Sequence, residues 1–111
     1  MKGPLSRLTA LAEMVSETEL ARLRQAMEIR RQIEAERDAL SAAPRRDQGA
    51  TPADLAGADA KWRVWRDDRI RVLNLQAARA AADSEVRRQA ASRAFGRAQV
   101  LRDLGAKSPG R

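Results

Sequence analysis

Cysteine and histidine are both absent from the 111 residues of the sequence. The first absence excludes disulfide bonds and thiolate chemistry. The second removes the commonest general base, and together they remove the usual zinc ligands. Aromatic residues make up only 3% of the chain, namely Trp62, Trp65 and Phe95. Because much of the 43% hydrophobic content is alanine, which buries little area, we expect a thin seam between helices instead of a thick core.

Long apolar runs are also missing. The first fifteen residues include Arg7 and Glu13 and contain no apolar stretch that could form a signal-peptide core. No window approaches the length and hydrophobicity of a membrane span. The sequence therefore predicts a cytoplasmic protein that does not cross a membrane.

Proline is absent between Pro52 and Pro109, and residues 51–104 are predicted to form one long helix. Thr51 is placed to cap its start, Pro52 suits the first helical position, and Asp54 puts a negative charge in the first turn. Apolar or small residues then recur at helical spacing. They are Leu55, Ala58, Trp62, Trp65, Leu73, Ala77, Ala80, Ala91, Ala94, Ala98 and Leu101. At 1.5 Å per residue such a helix is about 80 Å long, so it needs a partner to cover its stripe.

The first half of the chain supplies that partner. Residues 1–43 predict a first helix, whose apolar stripe runs through Leu5, Leu8, Ala12, Val15, Ala26, Ile29, Ile33 and Leu40. Residues 44–50 contain Pro44 and Gly49 and predict a linker, and 105–111 predict a disordered tail. Since a short linker reverses the chain direction, we expect an all-α fold, an antiparallel two-helix coiled-coil hairpin with a longer second helix.

The apolar residues nearest the linker suggest how the two helices align. Pairing Leu40 with Leu55 makes the numbers of facing residues sum to about 95, so that Ile33 meets Trp62. Trp62 and Trp65 would then pack over Ile29 and Ile33, although both could instead be exposed binding anchors. In this alignment helix 2 projects beyond about Ala91 with its apolar stripe uncovered. Phe95, Val100 and Leu101 on that projection are candidate partner-binding residues.

No catalytic constellation is visible in the sequence. There is no serine–histidine pair, no phosphate-cradling glycine loop and no metal-ligand spacing. The carboxylate clusters, Asp67 with Asp68 and Glu34 with Glu36, are typical of a solvated helix surface. We therefore expect no enzymatic activity, no cofactor and no metal.

The two predicted helices differ in net charge. Residues 1–43 carry seven basic and seven acidic residues, so the net charge of +7 belongs to the rest of the chain. Ten arginines lie along the predicted second helix: Arg63, Arg66, Arg69, Arg71, Arg79, Arg87, Arg88, Arg93, Arg97 and Arg102. The simplest interpretation is that the acids of helix 1 match them. Alternatively they bind an acidic protein surface, with Arg63, Arg66 and Arg69 as candidates, or the phosphates of a nucleic acid.

The size, the run from Arg30 to Leu40, the linker, and Trp62 to Arg66 near the start of a long second helix together resemble the FliJ/YscO-type family. These are the small coiled-coil stalk proteins of flagellar and type III secretion export machines. The resemblance implies a hairpin similar to the central shaft of a rotary ATPase. It also implies insertion into a hexameric export ATPase and contact with the export gate.

On that basis the expected function is mechanical, that of a non-enzymatic stalk or adaptor of a bacterial protein-export ATPase. Two alternatives of other classes remain. The chain could be a basic helical protein associated with nucleic acid. It could also be a structural adaptor that dimerises through its seam into a four-helix bundle.

Overall fold

The computed structural model describes residues 3–42 and 52–107, with side chains for all of these except 53–55. It consists of two helices, α1 from Pro4 to Ala42 and α2 from Pro52 to Lys107. They pack side by side in a rod measuring 85 × 21 × 15 Å. The radius of gyration is 24.8 Å, whereas a compact domain of this length would have about 13 Å. The predicted all-α antiparallel hairpin with a longer second helix is confirmed.

Proline begins both helices. Pro4 and Pro52 are the first residues of α1 and α2, where a missing N–H costs no hydrogen bond. The Arg7 N–H donates to the Gly3 carbonyl at 3.2 Å and closes the first turn of α1. At the far end, α2 continues through Gly105 to Lys107, three residues beyond the predicted end. The predicted Thr51 cap, the linker 44–50 and the last four residues of the tail lie outside the described residues.

The seam on α2 follows a heptad spacing of alternating three and four residues. Its buried members are Leu73, Ala77, Ser84, Ala91, Ala94 and Ala98, and Leu73 and Ala98 are fully enclosed. On α1 the covered positions repeat in the same way. Along the seam they are Leu5, Thr9, Ala12, Ser16, Glu19, Leu23, Ala26, Ile33, Arg37 and Leu40, whereas Arg30, at the remaining seam position, is exposed. This spacing is that of a coiled coil, which confirms the predicted architecture.

Two ion pairs between the helices fix their alignment. The Arg69 guanidinium lies 2.7 Å from the Glu36 carboxylate, and that of Arg102 lies 3.1 Å from the Glu13 carboxylate. Their residue numbers sum to 105 and 115, and these pairs lie on opposite sides of the seam. Seam residues that face each other therefore sum to about 110, at the midpoint. The predicted sum of about 95 is wrong by about 15 residues, or roughly 22 Å along the helix axis.

This alignment changes which end of α2 projects. Ile33 faces the region of Ala77, not Trp62, and the last residue of α1, Ala42, faces about residue 68. Trp62 and Trp65 therefore lie beyond the end of α1 and stack on each other, with ring centroids 5.3 Å apart. The predicted packing of the tryptophans over Ile29 and Ile33 is wrong. So is the predicted projection beyond Ala91, since that end of α2 is covered by α1.

The α1 stripe was predicted on the wrong flank at several positions. Leu8, Val15 and Ile29 are 44–52% exposed, whereas the polar residues Thr9 and Ser16 lie in the seam. The alanines of α2 explain this choice, because small side chains let the helices approach closely and leave little room for large residues. Thus the alignment sets Ser16 opposite Ala94 and Ala12 opposite Ala98, while the larger neighbours stay at the edge.

Candidate functional site

The six predicted partner-binding residues fall into two groups at different places along the rod. Arg63, Arg66 and Arg69 lie near the projecting start of α2. Phe95, Val100 and Leu101 lie where α2 packs against the beginning of α1. Since 26 residues separate Arg69 from Phe95, the two groups are about 39 Å apart along the helix. They do not form a single surface.

Each arginine of the first group is paired with a carboxylate. Arg63 contacts Asp59 at 2.7 Å, one turn earlier in α2, and Arg66 lies 3.5 Å from its neighbour Asp67. Arg69 is held by Glu36 of α1. All three side chains retain solvent exposure, so these pairs orient the guanidinium groups and contribute little to stability.

The members of the second group point in three directions. Leu101 is half-buried in the seam. Phe95 is 58% exposed and lies under the Arg102 guanidinium, whose central carbon is 5.7 Å from the ring centroid. Val100 is 57% exposed on the other side of the seam. A partner could therefore contact Val100 or Phe95, but the hairpin separates their surfaces.

The two interhelical ion pairs mark the two broad sides of the hairpin. Residues separated by multiples of seven lie on the same side of a coiled-coil helix. On the side of Glu13 and Arg102, charged residues dominate and many form local pairs, as do Arg31 with Glu28 and Arg88 with Glu85. On the side of Glu36 and Arg69, large apolar side chains are more frequent.

We call this second side the apolar–basic face. On α2 it follows every seventh residue from Val72, which alternates strictly between valine and a basic residue. These are Val72, Arg79, Val86, Arg93, Val100 and Lys107, and Arg97 and Leu104 lie beside them. On α1 it includes Leu8, Leu11 and Val15, which are 44–56% exposed. The sequence already contained this seven-residue alternation, but it does not stand out until the seam is located.

Three arginines of the apolar–basic face differ from the other arginines of helix 2 in pairing. Seven of the ten helix 2 arginines lie within 4.0 Å of a carboxylate. Within the described part of the chain, Arg79, Arg93 and Arg97 have no such partner. The expectation that the acids of helix 1 match the basic helix is correct only for Arg69 and Arg102, because the other five pairs form within α2.

The described surface has open, shallow depressions, one lined by Gly96, Arg97, Val100 and Leu101 and another by side chains around Trp65. Within residues 3–42 and 52–107, no three potential metal ligands are grouped to hold an ion. Neither described helix is long and apolar enough to cross a membrane.

Two exposed carboxylates show altered acidity. The hydrogen bond from Arg31 lowers the pKa of Glu28, and that from Arg88 lowers the pKa of Glu85. Both pairs span three residues on one helix and face solvent. They stabilise the helix surface.

Comparison with protein families, with curated proteins and with solved structures finds no match to this chain.

Proposed function

We propose that the protein is a non-catalytic coiled-coil stalk or adaptor of a bacterial type III, or flagellar, protein-export ATPase complex. The observation that carries the proposal is the shape: two helices form a rod 85 Å long and only 21 × 15 Å across. Such a body has no interior to exclude water from a reaction, but it can bridge distant partners or occupy a narrow channel.

The charge of the rod supports a protein partner with an acidic channel. Residues 52–107 contain twelve basic and seven acidic residues, whereas α1 contains six basic and seven acidic ones. The basic excess therefore follows α2, the helix that projects beyond its neighbour. Long-range attraction to this excess charge should speed association with an acidic partner, and added salt should lower the affinity.

The projecting start of α2 supports an end-on contact. Trp65 is 53% exposed and Val64 is 63% exposed, and both line a shallow depression beside Lys61. Aromatic and arginine side chains are the commonest binding hot spots in protein interfaces. Trp65 with Arg63 nearby thus gives the rod an end that could engage the inside of an ATPase ring.

Fluorescence anisotropy with the purified export ATPase from the same bacterium tests the proposal. The labelled protein should bind at low ionic strength, and affinity should fall as salt is added. Trp65→Ala should weaken binding by about tenfold, whereas Met14→Ala, a change at an exposed apolar residue in the first third of α1, should not. If the ATPase does not bind at low ionic strength, the export function is wrong.

A further inference from the structure

We propose that the apolar–basic face is a docking surface for a helix of another protein, with an apolar stripe flanked by aspartate or glutamate. The inference deepens the adaptor function proposed above, on which it rests, by naming the surface that holds a second partner and the chemistry of that partner. It concerns the side of the rod, not the projecting end assigned to the ATPase.

The spacing of this face is that of a second seam. On this face of α2 the apolar residues Val86, Ala90, Val100 and Leu104 are separated by four, ten and four residues, which are sums of three and four. A facing helix requires this spacing, because its side chains meet every 3.5 residues in a coiled coil. Neither a lipid surface nor a phosphate backbone requires it. The pattern therefore favours a helical occupant.

The apolar part of the surface has the dimensions of one helix. Val86, Val100 and Leu104 on α2 are 47–61% exposed, and the alignment places them beside Leu8 and Val15 of α1. From Val86 to Leu104 the surface extends for 18 residues, about 27 Å or five helical turns. Gly96 lies at the groove beside Arg97 and Val100, and no atom lies within 4 Å of the position its missing side chain would occupy.

Charge decides which helix fits. Arg79, Arg93 and Arg97 on this face have no carboxylate within ion-pair distance among the described residues. A partner with aspartate or glutamate beside its apolar stripe would pair them and cover the valines between. A second copy would bring the same arginines together, and like charges across an interface oppose association. The complementary occupant is therefore acidic.

A designed peptide tests the surface directly. The probe is a fluorescent helical peptide of about 18 residues with leucine at its core positions and glutamate at the flanking ones. Its binding to the full chain is followed by anisotropy, alongside a matched peptide with lysine in place of glutamate. We expect saturable binding of the glutamate peptide and at least about tenfold weaker binding of the lysine peptide.

Variants locate the binding to this face. Arg93→Glu with Arg97→Glu should weaken the glutamate peptide by about tenfold and improve binding of the lysine peptide. Val100→Asp should also weaken the glutamate peptide. The matched controls are Arg24→Glu, which reverses a charge on the other side of α1, and Met14→Asp, which alters an equally exposed apolar residue away from the face. Circular dichroism verifies that each variant remains helical.

Several results would overturn the proposal. One is equal binding of both peptides, and another is an equal loss of peptide binding in Arg24→Glu. A third is binding to phosphatidylglycerol vesicles or to a random RNA that is tighter than binding to the glutamate peptide and is lost in Arg93→Glu. A fourth is sedimentation of the chain as a dimer that Val100→Asp dissociates. Since no ATPase is present, failure here leaves the export assay untouched, and failure of that assay leaves peptide binding intact.

Discussion

The Arg102 guanidinium lies 3.1 Å from the carboxylate of Glu13, which is 89 residues earlier in the chain. Exposed pairs of this kind are worth at most about 1 kcal/mol, so this contact does not hold the rod together. Its value is geometric. With the pair Glu36–Arg69 on the other side, it sets the alignment of the whole hairpin. The residues of α1 and α2 that face each other follow from that alignment.

Engineered cysteines would check the alignment, because the chain has none of its own. Ala12→Cys with Ala98→Cys places two thiols opposite each other in the closely packed seam. We expect this pair to form an intramolecular disulfide on mild oxidation. Ile33→Cys with Trp62→Cys, which the alignment separates by about 22 Å, should not. Gel mobility without reductant shows which of the two double variants forms a disulfide. A disulfide in the second pair alone would favour the alignment in which the numbers of facing residues sum to about 95.

Leu73 is the largest fully buried side chain of the described chain. Replacing it by alanine removes apolar contacts and leaves a cavity, so Leu73→Ala should lower the free energy of unfolding by about 2–5 kcal/mol. Leu75→Ala, two residues away and 53% exposed in the parent, should change it by less than about 0.5 kcal/mol. Urea denaturation followed by circular dichroism measures both. Equal losses would mean that Leu73 is not in the seam.

Gly96 lies within the continuous helix α2, and a side chain at this position would meet open space. Gly96→Ala should therefore raise the free energy of unfolding by about 0.5–1 kcal/mol, because glycine loses more backbone entropy in a helix. Ala82→Gly, at the equivalent exposed position two heptads earlier, should lower it by a similar amount. Thermal melting of both variants gives the comparison. Destabilisation by Gly96→Ala would show that other atoms lie where the alanine side chain would be, contrary to the open space in the structure.

The pH dependence of Glu28 and Glu85 follows from their arginine neighbours. Each has a pKa lowered below its ordinary value of 4.5 in the folded chain. Their stabilising effect is therefore present above that value, and it is lost as the pH falls below it through the lowered pKa. NMR titration of the carboxyl carbons should show the shift, and Arg31→Gln should raise the pKa of Glu28 while leaving Glu85 unchanged. A Glu28 titration unaffected by Arg31→Gln would rule out the hydrogen bond as its cause.

The sequence was sufficient to predict the fold and most of the α2 seam. Leu73, Ala77, Ala91, Ala94 and Ala98 were all placed correctly, because proline-free helical spacing over many turns leaves few alternatives. The start of α2 was less predictable. Ala58 and Trp65 were placed on the stripe but are exposed, because each lies one residue before a half-buried position, Asp59 and Arg66 respectively.

The alignment could not be predicted because alanines recur along α2 at many equivalent positions. Several alignments then bury similar apolar area, and pairing Leu40 with Leu55 assumed that the helices meet at the linker. A nine-residue connection can span about 30 Å when extended, so no such meeting is required. Ion pairs between long side chains, such as Glu36 with Arg69, favour one alignment over the others. The periodicity of the sequence does not show which side chains pair.

The candidate surface was only partly predictable. Val100 was chosen from its apolar character and lies on the apolar–basic face. Phe95 and Leu101 were chosen for the same reason but belong to other surfaces. Arg79 and Arg93 were recognised only as members of a basic stripe. What distinguishes them, the lack of a neighbouring carboxylate, depends on which side chains the folded hairpin brings within reach.

The antiparallel alignment also brings Pro4 close to the end of α2 at Lys107, so both ends of the described chain lie at one tip of the rod. A fluorescent protein or a surface tether attached at either terminus would therefore report the same tip. The part of the rod that carries Trp62 and Trp65 would remain several tens of ångströms away from the attachment. Two such labelled forms, one at each terminus, would give the same orientation of the rod in electron micrographs of any assembly that contains it.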